Sequence, residues 1–144
     1  MAILNQDEQE RIVHAVNLAE NMTSGEIRLV VENVIGKDVS VYEKATQYFH
    51  KLNMHKTAQR NGVLLYLAIQ DHQFAIIGDS GINSKVNADF WESTKEKMLV
   101  HFKQGDFVSG LVEGIREAGE QLRHYFPRGV DDINELPNDI HFGI

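Results

Sequence analysis

The stretch NGVLLYLAIQDHQFAIIGDSGIN, residues 61–83, limits the fold more than any other part of the chain. From Gly62 to Ile69 the residues are almost continuously apolar and rich in branched and aromatic side chains. That length and content predict a central strand covered on both faces. Four polar residues, Gln70 to Gln73, then interrupt the run before FAIIG resumes it. The shortest connection is a four-residue hairpin loop, which makes the following strand antiparallel to the first.

The flanking sequence supplies the covering layers. Asn5 and Glu8 form a capping-box pattern ahead of Ile12, Val13, Val16 and Ala19 at helical spacing. TSGEIRLVVENV starts with turn residues and continues as a strand with apolar groups on both faces. Ser40 and Glu43 repeat the cap before the stripe Val41, Ala45, Tyr48, Phe49 and Leu52. After the hairpin, a helix is predicted from about Asn87 to Gln104, stopped by Gly105, and another from Asp106 to before Pro127. The order α-β-α-β-β-α-α contains a right-handed βαβ crossover and implies a three-layer α/β/α sandwich around a three-stranded mixed sheet.

A chain of 144 residues suits one domain, expected over residues 1–127, with an acidic tail at 128–144 that is a docked strap or disordered. The absence of cysteine removes disulfides, thiolate metal sites and thiol nucleophiles, leaving oxygen and imidazole chemistry. A formal charge of −7 argues against nucleic acid and anionic membranes and favours cations or basic partners. No basic leader with a long apolar core and no run of about 18 apolar residues occurs, so a cytoplasmic monomer without membrane insertion is expected.

The topology brings distant acids together. The first strand begins at Glu26, the second begins after Arg60 and Asn61, and the antiparallel third ends at Gly78 and Asp79, so these points share one rim. The last helix returns the tail to the same rim, where Asp131, Asp132 and Glu135 approach. Clustered carboxylate, amide and backbone oxygens suit a hard divalent cation, Ca²⁺ or Mg²⁺. The expected ligands are Glu26 and Asp79, with Gly78, Asn61, Asp131 and Asp132 as further oxygen sources. The structural alternative pairs Glu26 with Arg28 or Arg60 and uses Asp79 to fix the turn or cap a helix. GDSGIN lacks the alternating acids and closing Glu of an EF-hand loop.

The opposite rim holds Glu32, Asn33, Gly36, Lys37, Asp38, Asp71, His72 and Asp106, but neither G-x-x-x-x-G-K-[ST] nor G-x-G-x-x-G is present. Asp106 reads as a helix N-cap. None of the seven histidines has H-E-x-x-H or H-x-x-x-H spacing, and the five-residue separation of His50 and His55 across a helix end predicts rings that diverge. No G-x-S-x-G elbow supports serine hydrolase chemistry.

RNGVLLYLAIQDHQFAIIGDSGI, followed by FKQGDFVSGLVEGI, resembles the TPM domain, a family that includes thylakoid-lumen photosystem repair proteins and a nematode receptor modulator. Asn61-Gly62-Val63-Leu64-Leu65, Asp71, Gly78 and Gly105-Asp106-Phe107, with Gly110-Leu111 and Gly114-Ile115, carry the resemblance over residues 5–126. It implies a Rossmann-like α/β/α sandwich and divalent cation binding. For some members it also implies phosphatase activity or a role in assembling or repairing membrane protein complexes. Exported relatives carry G-Y-G-hydrophobic-E where this chain has Gly78 to Asn83, and an acid in place of Arg60. In this respect, and in NELPNDI, the chain is similar to a short, soluble bacterial form in which Glu26 and Asp79 look like replacement acids. The expected function is cation binding with a stabilising or protein-interaction role; the alternative is a metal-dependent phosphatase acting on phosphomonoesters.

Overall fold

The computed structural model describes residues 4–87, 89–128 and 140–143. Its elements are α1 (Gln6–Glu20), β1 (Glu26–Glu32), α2 (Val41–Lys51), β2 (Gly62–Ala68), β3 (Gln73–Gly78), α3 (Ser80–Asn83), α4 (Glu92–Lys103), α5 (Phe107–Tyr125) and β4 (His141–Gly143), with a 3₁₀ turn at Met54–Lys56. The strands form one mixed sheet in the order β3-β2-β1-β4. β1 runs parallel to β2 and β4, and β3 is antiparallel to β2.

Side chains alternate across a strand, so β1 and β2 divide their apolar residues between two layers. Ile27, Leu29, Val31, Val63, Leu65 and Leu67 face one core, built with α1, α4 and α5. Val30, Leu64, Tyr66 and Ala68 face a second core closed by Ala45, Tyr48 and Phe49 of α2 and by Met54. Helices therefore cover both sides of a mixed sheet, the expected three-layer α/β/α arrangement.

The caps follow the sequence. The Asn5 side chain accepts from the Glu8 amide at 2.8 Å, while Glu8 accepts from the Asn5 amide at 2.9 Å. Ser40 accepts from Glu43 N at 3.1 Å, and Asp106 accepts from Ser109 N at 3.1 Å to open α5. Two details differ from expectation. α4 begins at Glu92 rather than Asn87, because Phe90 and Trp91 form a turn that drives the indole into the core ahead of the helix. The sheet gains a fourth strand: His141–Gly143 pairs with Val30–Glu32, and Ile140 beside it is buried.

Candidate functional site

The strand register fixes the rim. Glu26 lies opposite Gly62, and Val63 lies opposite Gly78, so Glu26, Asn61 and Asp79 end three neighbouring strands on one side. Backbone bonds tie them together: Glu26 N donates to Asn61 O at 3.4 Å and Asp79 N to Gly62 O at 3.0 Å. Neighbouring strands are about 4.8 Å apart, and the register sets Gly62 between the two acids, with Asn61 one residue before it on β2. All three are buried, at 3%, 1% and 8% exposure for Glu26, Asn61 and Asp79.

Each side chain uses part of its bonding capacity. Asp79 Oδ1 accepts from Ser80 N at 2.7 Å and caps α3, while Oδ2 lies 3.6 Å from Arg60 Nε. That oxygen is buried and accepts no hydrogen bond among the described residues. Asp79 thus caps a turn and pairs with an arginine, as its structural alternative requires, and still holds one unsatisfied acceptor. Asn61 Nδ2 donates to Ser24 Oγ at 3.3 Å, and its Oδ1 is likewise buried without a donor among the described residues. The Gly78 carbonyl accepts from Asn83 Nδ2 at 3.1 Å. Gly81 answers to a close approach: its N–H donates to Arg60 O at 2.8 Å, and a Cβ there would stand 2.5 Å from the same oxygen.

Glu20, at the end of α1, was not anticipated. It is 5% exposed, and its Oε2 accepts from Ile27 N at 2.8 Å. Burial, with the charge of and a hydrogen bond to Glu26, pushes its carboxyl up to about 8, against the usual 4.5. At neutral pH Glu20 therefore keeps its proton, with its carboxyl hydrogen-bonded to Glu26. A sequence signal existed: α1 has no basic residue in its last turn and ends on an acid, contrary to the macrodipole preference.

Asp131, Asp132 and Glu135 lie outside the described residues. Among the described residues, no three of His, Asp and Glu converge as a ready-made metal cluster. On the opposite rim Asp71 Oδ2 accepts from Ile35 N at 2.6 Å, and Glu32 lies beside Tyr48 and Tyr66 in the α2-side core, its Oε2 buried without a hydrogen bond among the described residues. Burial, and Glu32 next to it, push the Tyr48 phenol up to about 12 and raise Tyr66 further. The His50 and His55 rings correct the expectation of divergence, with centroids 5.0 Å apart, because the chain leaves α2 through a left-handed Asn53 and folds back. Among the described residues, no helix is long and apolar enough to cross a membrane.

The TPM domain model matches residues 1–121. The solution structure of the BA42 protein from the psychrophilic bacterium Bizionia argentinensis superposes with a TM-score of 0.91 at 46% identity, covering 99% of this chain and 97% of that one. An N-terminal domain of a P. gingivalis protein gives 0.70 at 19% identity, covering 87% and 80% of the two chains. The N-terminal domain of the cg2496 protein from Corynebacterium glutamicum gives 0.67 at 12%, covering 92% and 82%. These last two show the shared fold alone. No curated protein matches the chain.

Proposed function

The chain belongs to the TPM domain family, and from that premise we propose that the rim formed by Glu26, Asn61 and Asp79 binds a divalent cation, Ca²⁺ or Mg²⁺, in a stabilising or protein-interaction role. The observation that supports this most is the pair of buried oxygens, Asn61 Oδ1 and Asp79 Oδ2, on neighbouring strand ends that accept no hydrogen bond from the described residues. An unsatisfied buried acceptor costs about 1–3 kcal/mol, and hard cations take carboxylate and amide oxygens. The donor set fits the chemistry of such an ion. The backbone oxygens of Gly78 and Asn61 are weaker contributors, since each already accepts a hydrogen bond. Asp131, Asp132 and water are the sources proposed for the remaining positions.

When bound, the ion would supply positive charge that offsets the crowding of buried acids. Glu20 then has less reason to hold its proton against Glu26, and the pair ionises. Calorimetric titration near pH 7 in two buffers of different ionisation enthalpy tests this. The expected result is saturable Ca²⁺ or Mg²⁺ binding that releases about one proton per ion, with the release abolished by Glu20→Gln and the affinity lowered by Asp79→Asn. Binding indifferent to Asp79→Asn, or no saturable binding at millimolar ion, overturns the reading. The phosphatase alternative requires aryl phosphate turnover that Glu26→Gln and Asp79→Asn abolish; the reading proposed here expects no turnover dependent on those residues.

A further inference from the structure

Among the described residues the sheet ends at β3 on one side, and the edge it presents there is neither short nor charged: Phe74, Ala75, Ile76 and Ile77 carry no charge to deter pairing. The bond from Asp79 N to Gly62 O sets the phase of the antiparallel ladder. Adjacent residues alternate along the strand, so Ile77 and Ala75 point their N–H and C=O groups to β2, whereas Gly78, Ile76 and Phe74 point theirs away. The Gly78 carbonyl is occupied by Asn83. Those of Ile76 and Phe74 point away from β2.

A cleft of about 370 Å³ runs along this edge, between Tyr42 on α2 and Asn87 and Trp91 ahead of α4 with Lys95 in its first turn, and with Ile76 and Gly78 on its floor. Tyr42 is 64% exposed, a large aromatic standing at the mouth. Trp91 is 7% exposed, and its indole Nε1–H is buried with no acceptor among the described residues. Gly78 makes room for it: a Cβ on that residue would lie 3.3 Å from the indole nitrogen. One turn further along α4, Lys95 brings an ammonium to the same cleft, held by a 3.6 Å surface pair with Glu92 that competes weakly. An open strand edge offers main-chain bonding, and an orphaned donor next to a cation asks for a carboxylate.

We propose that the β3 edge binds an extended peptide of a partner protein by strand addition, with an acidic side chain of that peptide accepting from Trp91 Nε1 and facing Lys95. Main-chain bonds to Ile76 and Phe74 supply sequence-tolerant affinity, and the carboxylate sets the register. The inference is independent of the cation reading, since it uses neither the Glu26 nor the Asp79 carboxylate.

The test is an amide NMR titration of the full chain with the hexapeptide acetyl-VTVTVE-amide, and with acetyl-VTVTVQ-amide, at up to millimolar concentration. The expected result is saturable shifts at residues 74–78 and at the Trp91 indole N–H, with the Glu peptide binding about tenfold tighter. Trp91→Phe keeps the aromatic packing and removes the donor, so it should bring the Glu peptide down to the level of the Gln peptide. Ile76→Pro removes an outward N–H and should abolish both; if that variant fails to fold, Trp91→Phe decides alone. The proposal is overturned if neither peptide shifts residues 74–78, or if Trp91→Phe leaves the Glu preference unchanged. It is also overturned if those resonances move with protein concentration alone, which would assign the edge to a second copy of this chain.

Discussion

Replacing Glu20 by Gln removes one proton-binding group from a buried pair while keeping its shape and its acceptor for Ile27 N. In the folded protein Glu20 holds its proton to about 8, because of burial and then the neighbouring Glu26; unfolded, the same carboxyl releases it near 4.5. Between those values the folded state binds more protons than the unfolded state, so stability contributed by the neutral carboxyl is complete below pH 4.5 and is lost as pH rises toward 8. The loss runs at about 1.4 kcal/mol per pH unit, which over the whole window amounts to at most about 5 kcal/mol, since the titration is shared with Glu26. Urea unfolding from pH 4 to 9 measures it. The variant should match the wild type near pH 4 and exceed it by several kcal/mol at pH 8, with the difference growing steadily between. Parallel stability curves for the two proteins would refute the reasoning that a protonated Glu20 sits against Glu26.

Gly81→Ala forces a Cβ against the backbone oxygens of Gln59 and Arg60, which cannot swing aside as a side chain would; it should cost about 3 kcal/mol, the upper end of overpacking, and a urea midpoint within error of wild type would contradict the contact. Asp79→Asn retains an acceptor for Ser80 N and should leave the melting temperature within a few degrees while weakening the ion at the rim, as followed by calcium-dependent thermal shift. Leu65, in the middle of β2 and 1% exposed, should cost about 2–5 kcal/mol when cut to Ala, measured by the same urea titration. A cost under 1 kcal/mol there would mean that the central strand is not the keystone of the larger core.

The central strand and its hairpin were legible because an uninterrupted apolar run bounded by polar punctuation has few ways to be buried. Once that strand was placed, chain connectivity alone put Glu26, Asn61 and Asp79 on one rim, and the register agrees. The fourth strand was not legible. His141–Gly143 is too short to show a period, and its pairing depends on the open edge of β1 rather than on its own residues. His50 and His55 were misjudged because helical spacing fails where a left-handed Asn53 reverses the chain. Glu20 was missed for a related reason: its importance comes from burial against Glu26, a contact across six residues and a turn that no helical or strand period encodes.

The cation claim is tested most directly by recording amide spectra of the full chain while Ca²⁺ or Mg²⁺ is added. Saturable shifts concentrated at residues 24–26, 60–61 and 78–83, and reduced by Asp79→Asn, are the predicted result. A response that is flat across those three segments, or that saturates elsewhere in the chain, would contradict it.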